Sequence, residues 1–107
     1  MKLYGYRYDS HNKKFYEREI SVKESNTHNF RLPSNNGISN ASTFPKRRLG
    51  ELSAVVGDYY AFYEKPSRDA FIAQVKTLMG QTTKTYEGLA VAERCKYMEF
   101  IGVVNKL

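Results

Sequence analysis

The sequence predicts an α+β fold: a small antiparallel sheet of three to four strands packed by two to three helices. Three observations carry that expectation. Residues 2–8 alternate at a period of two, with Tyr4, Tyr6 and Tyr8 on one side and Leu3, Gly5 and Arg7 on the other. A second run, 14–23, again places apolar residues (Tyr16, Ile20, Val22) on a shared face, and turn formers separate the two. The last third of the chain changes to a helical period.

Taken in order, the strand at 2–8 passes through Asp9-Ser10-His11-Asn12 into the strand at 14–23, a β-hairpin. Residues 28–32 add a third short strand closed by Pro33. Residues 33–43 are dense in Ser, Asn and Gly and read as a long loop, either a mobile binding segment or one ordered by a partner. Within it, Asn36-Gly37 is the pairing a turn with positive φ requires. From Thr43 a helix is expected: Thr43 as cap, Pro45 in the first turn, and Leu49, Leu52 and Val56 at three- and four-residue spacing. Gly50 weakens that helix by about 1 kcal/mol relative to alanine, and Gly57 ends it. Residues 58–64, crowded with aromatics and flanked by Gly57 and Pro66, return to the sheet as a strand. Ser67 caps the next helix, whose stripe is Phe71, Ile72, Val75, Leu78 and Met79. Gly80-Gln81-Thr82-Thr83 either breaks this helix or kinks one long helix, and a final helix is expected over about 85–103, with Leu89, Val91, Cys95, Met98 and Ile101 facing inward.

The 107 residues suit one domain spanning 1–107, long enough to bury roughly two-thirds of the surface of the unfolded chain. No apolar run approaches the ~18 residues of a membrane span, and the first residues lack the apolar core of a signal peptide. A lone cysteine, Cys95, forms no internal disulfide. These features read together as a soluble protein of a reducing cytoplasm.

Charge is unevenly placed. Residues 1–50 hold ten Lys/Arg against four acids, whereas 51–107 hold seven of each, so the first half owns the whole net charge of +6. Two accounts stand: an anionic partner, or solubility alone. Catalytic patterns are missing. The two histidines, His11 and His28, share no ligand spacing with other groups, and a zinc site needs three or four converging. Cys95 falls mid-stripe, the setting of a buried apolar thiol. The glycines form no phosphate-cradling motif. Glu17 and Glu19 share a strand face but sit among cations, so they balance charge across the hairpin and make a poor acid–base pair. The expectation is a protein that is no enzyme and carries no metal or cofactor.

The positive signals concern binding. Lys46, Arg47 and Arg48 cluster at the expected helix start, where the macrodipole disfavours cations by about 0.3–1 kcal/mol each. Either an anionic ligand offsets that penalty, or the helix begins later. Lys13, Lys14, Arg18 and Arg31 extend the basic surface. Tyr4, Tyr6 and Tyr8 opposite those cations could stack bases, as in single-strand binders; the alternative is that they pack against the helices, with phenol tips at the rim. Tyr59, Tyr60, Phe62 and Tyr63 form a second aromatic cluster, an interface with protein if exposed.

The Tyr-x-Tyr hairpin with Lys13-Lys14 at its turn, followed by Leu49-Gly50-Glu51-Leu52, resembles small accessory proteins of phages and prophages of Gram-positive bacteria. The Asn-, Lys- and Tyr-rich composition is similar. That resemblance implies a class of roles: binding host machinery, including antagonists of bacterial defence such as anti-CRISPR proteins, many of which are acidic where this chain is basic. Two functions follow as expectations. One is nucleic-acid binding through the basic half; the other is docking onto an acidic or nucleic-acid-bound bacterial complex by protein–protein contact.

Overall fold

A computed structural model describes residues 1–24, 26–55, 57–85 and 91–107, and side chains outside 80–94. Among these described residues, seven strands and two α-helices follow one another: β1 (Lys2–Asp9), β2 (Lys14–Ser21), β3 (Lys23–Glu24), β4 (Asn29–Arg31), β5 (Thr43–Pro45), β6 (Ser53–Val55), β7 (Asp58–Tyr63), α1 (Arg68–Thr85) and α2 (Val91–Val104). The α+β expectation holds, but the strands form two antiparallel sheets. One has four strands in the order β2-β1-β7-β6, and the other has three in the order β3-β4-β5.

The β1–β2 hairpin forms as its alternation predicts. Its register sets Leu3 opposite Ile20 and Tyr6 opposite Glu17. Asp9 closes the turn by accepting from the His11 and Asn12 backbone amides and from Asn12 Nδ2, the last at 2.7 Å. Lys13 takes the left-handed conformation at φ 55°. Strand β7 then pairs with the free side of β1, so Tyr6 faces Ala61 and Gly5 faces Phe62. Period-two side chains send these residues to opposite faces, and both faces are covered.

On one face lie the helices. Tyr6, Tyr8, Ala61 and Tyr63 pack against Phe71, Val75, Met79 and Phe100. Tyr4, Tyr6 and Tyr8 thus face the helices, the packing alternative. On the other face lies the three-stranded sheet. Leu3, Ile20 and Phe62 meet Val22, Phe30, Leu32, Ile38 and Phe44. The molecule is therefore three layers deep: helices, four-stranded sheet, three-stranded sheet. Gly5 makes the second contact possible, since a methyl group there would stand 2.8 Å from Ile38 Cγ1.

The loop at 33–43 carries hydrogen bonds of its own. Asn36 is buried; its Nδ2 donates to the Pro33 carbonyl, and its Oδ1 accepts from the amides of Ile38 and Ser39. Gly37 follows at φ +78° as the Asn-Gly pairing predicts, and Ile38 is inserted over Gly5.

The helix expected over 43–57 does not form. Thr43–Pro45 pairs with β4, Lys46–Arg48 makes a single 3-10 turn, and Ser53–Val55 pairs with β7. Leu49 and Leu52 explain why. Their spacing is helical, yet Leu49 packs into the core between the sheets and Leu52 into the core beneath the helices. No single helix face serves both. Val56 lies outside the described residues.

Helix α1 continues through 80–83 to Thr85 instead of breaking there. Ser67 precedes it but does not cap it by side chain: its Oγ donates to the Lys65 carbonyl, while its amide donates to Tyr6 Oη. Phe71, Val75 and Met79 are buried as expected, and Leu78 stands at the exposed rim. In α2 the phase differs from the expected stripe. Phe100 is fully buried with Tyr97, Ile101 and Val104 beside it, whereas Met98 is 64% exposed and Cys95 is exposed too. Leu89 lies outside the described residues, as does the side chain of Val91. Among the described residues, no helix is long and apolar enough to cross a membrane.

Candidate functional site

Residues 22–48 hold five Lys/Arg (23, 31, 46, 47, 48) against one acid, Glu24, which is +4 of the net +6. These same residues build the three-stranded sheet and its flanking turns, so a discrete layer of the fold carries most of the excess charge. Register arranges its two faces. Phe30 and Phe44 sit opposite each other and point into the core. Arg31 sits opposite Lys23 on one side and Thr43 on the other, one row along, and all three are exposed.

The cluster expected to act together, Lys46, Arg47 and Arg48, is divided by its turn. Lys46 Nζ lies 3.0 Å from Glu24 Oε1 and 5.3 Å from the centre of the Phe30 ring. Arg48 donates to Ser53 Oγ at 2.7 Å and lies 3.7 Å from Glu51. Both side chains fasten the turn to neighbouring strands. Arg47 alone of the three is exposed with no ion-pair partner among the described residues. Because the turn is not the start of a helix, the macrodipole penalty does not arise there. His28, Asn29, Pro45, Lys46 and Arg47 line a depression of about 360 Å³ at this end of the sheet.

The remaining predicted cations fall in different places. Lys13 Nζ lies 3.4 Å from Glu99, tying the hairpin turn to α2 and away from the cationic layer. Lys14 is exposed opposite Asp9. Arg18 lies opposite Gly5 on the face of β2 that looks toward the three-stranded sheet, and its guanidinium runs over Gly37, 3.3 Å from where a Cβ would stand. Arg31 is exposed on the central strand β4. The two carboxylates at 17 and 19 are engaged as charge balance implies: Glu17 accepts from Nε and Nη2 of Arg68 at 2.7 and 3.0 Å, and Glu19 pairs with Lys2 at 3.1 Å.

The aromatic cluster of β7 is split by its alternation. Tyr59 and Tyr63 turn toward the helices, where Tyr63 Oη accepts from Gln74 Nε2 at 2.6 Å, and Tyr60 and Phe62 turn toward the second sheet. Phe62 and Tyr63 are buried and Tyr59 and Tyr60 half-buried, so the four rings form no exposed patch.

Two features were not singled out from the sequence. Arg7 reaches Asp58 through Nε (3.2 Å) and Nη2 (3.1 Å) and lies 5.1 Å over the Tyr16 ring. That pair forms the floor of a groove of about 380 Å³ beneath residues 37–41. The second feature is Lys23, whose importance comes only from its partner across the ladder. Neither signal exists locally: Arg7 and Asp58 are 51 residues apart, and Lys23 and Arg31 meet only through antiparallel pairing. Among the described residues, no three His, Cys, Asp or Glu side chains gather where they could hold a metal ion. Neither a protein-family model, nor a curated protein, nor a solved structure matches the chain.

Proposed function

We propose that this chain is a non-enzymatic binding protein that holds a nucleic-acid strand against its three-stranded sheet. The observation that carries the reading is the concentration of charge: +4 within residues 22–48, folded as one layer. Cations spread for solubility would be interspersed with acids. Here the only acid of the layer, Glu24, is already paired with Lys46. Arg31, Lys23 and Arg47 keep their charge toward solvent, and Arg18 stands beside them on β2. Phosphates supply the matching charge, and polar outer-face groups such as Asn29 and Thr43 hydrogen-bond without demanding a base sequence. The reading suits an accessory protein of a phage or mobile element. Docking onto a bacterial defence complex is the less supported role, because the rings that would anchor it, Phe62 and Tyr63, are buried.

The test is equilibrium binding of labelled single-stranded DNA, single-stranded RNA and duplex DNA across a salt series. The expected result is binding whose logarithm falls linearly with log salt, by about 0.7 per phosphate neutralised on a single strand. Absence of binding to all three at low salt removes the reading.

A further inference from the structure

Resting on that reading, we infer that Lys23 and Arg31, with Arg18 beside them, form a phosphate-binding site that takes the backbone of the nucleic-acid strand. Direct cross-strand neighbours on one face hold their Cβ atoms about 5 Å apart, and like charges so placed destabilise a sheet. Lys23 and Arg31 are such neighbours. A lysine on the edge strand β3 is accounted for by protection against edge-to-edge pairing. Arg31 is not, since β4 is the central strand of its sheet. The carboxylates of the neighbouring strands are engaged elsewhere: Glu24 is held by Lys46 and Glu19 by Lys2. Two unlike-signed neighbours would have been available to the sheet; two cations were placed together with nothing from the described residues between them.

The surface around the pair is concave. Lys23, Arg31, Ser21, Leu32 and Pro33 line a depression of about 310 Å³. Ser21 and Pro33 also border a second one, of about 430 Å³, lined too by Arg18, Asn35 and Glu19, whose carboxylate is paired with Lys2. The two depressions therefore form one path from the three-stranded sheet to the edge of β2. Arg18 runs against Gly37, whose φ of +78° and missing Cβ leave room for the guanidinium. A phosphate over the Lys23–Arg31 pair removes their repulsion and receives the planar donor fork of Arg31. The next phosphate along the strand reaches Arg18.

The decisive variant is Lys23→Gln/Arg31→Gln, compared with Lys96→Gln/Lys106→Gln, which removes the same charge from α2 and the turn that follows it. Both carry surface changes, and circular dichroism verifies the fold. On a single-stranded oligonucleotide the salt slope of the first variant is expected to flatten by about 1.4, two contacts at about 0.7 each. Its deficit against wild type then shrinks about sevenfold between 50 and 200 mM salt, as that slope difference requires. The α2 variant keeps the wild-type slope. Inorganic phosphate alone is expected to shift the amide resonances of Ser21, Lys23 and Arg31 in the wild type and not in the first variant. Oligonucleotide binding with an unchanged slope in the first variant overturns the site while leaving nucleic-acid binding intact. Phosphate shifts at the pair without any oligonucleotide binding preserve the anion site and overturn the nucleic-acid reading. A polyglutamate peptide that binds the pair as tightly as the oligonucleotide overturns the assignment to phosphate.

Discussion

Two tyrosines one turn of the pleat apart show how differently equal side chains are used. Tyr6 Oη accepts the Ser67 amide at 2.8 Å, holding the start of α1 to the sheet, whereas the buried Tyr8 Oη has no hydrogen-bond partner among the described residues. Tyr6→Phe is therefore expected to lower stability by about 1 kcal/mol, and Tyr8→Phe to leave it unchanged or raise it, in urea denaturation at pH 7. The pH dependence adds a second readout. Burial, reinforced by Glu99, holds the Tyr8 phenol above its ordinary range, and burial raises Tyr63 as well against the pull of its Gln74 hydrogen bond. A phenol with a raised pKa stabilises the fold below its unfolded value of about 10, and that contribution is lost as pH rises through the folded value. Stability is expected to fall above about pH 10, and to fall less in Tyr8→Phe. Gly5 is the other residue on which the layers depend. Gly5→Ala brings a methyl group against Ile38, Phe62 and Ile20 and is expected to cost about 1–3 kcal/mol. Adding Ile38→Ala removes the closest of those contacts, so the double variant loses less than the sum of the two single variants. Strict additivity would mean that the two residues do not touch.

At the scale of elements, α2 illustrates why periodicity identifies a helix without orienting it. Its apolar residues are spread around the axis among Glu93, Arg94, Lys96 and Glu99, so the stripe through Cys95 and Met98 and the one through Phe100 and Val104 are both plausible faces on spacing alone. Packing decides: Phe100 meets the Tyr8 ring edge-on at 4.7 Å, an area no methionine would match. Phe100→Ala is expected to cost about 3–5 kcal/mol and Met98→Ala less than about 0.5, measured by chemical denaturation. Equal losses would mean the phase is wrong. The three-stranded sheet makes a complementary point about charge. Lys23→Glu replaces a repulsive cross-strand pair by an attractive one, so its thermal midpoint is expected to rise while oligonucleotide binding weakens. A lower midpoint would show that the two side chains do not interact.

For the whole molecule, the four-stranded sheet covered on both faces is the feature from which the rest follows. Strand β1 has hydrogen-bonded neighbours on both sides, helices on one face and the second sheet on the other. Its amides are expected to exchange with solvent most slowly, by nuclear magnetic resonance, and those of β3 and β4 in the outer layer faster. Slower exchange in β4 than in β1 would place the stable centre elsewhere. The same layering leaves the outer sheet exposed on one face, and that face carries Lys23 and Arg31.

Alternation and turn chemistry were enough to read the β1–β2 hairpin, the strand at 58–63, the Asn36-Gly37 turn and the helix beginning after Ser67. Each is a local pattern: a side-chain period, a positive φ or a helical stripe, complete within a few residues. The second sheet, the path of residues 43–57 and the phase of α2 are not local. Leu49 and Leu52 have helical spacing but belong to cores on opposite sides of one sheet. The charges follow the same rule. Lys46, Arg47 and Arg48 are contiguous in sequence, and a 3-10 turn sends two of them to fixed partners. Lys23 and Arg31 are eight positions apart, and antiparallel pairing sets them side by side. Sequence shows how many cations the first half holds; only strand pairing brings particular ones within reach of a single anion, because electrostatic interaction depends on distance through space and not along the chain.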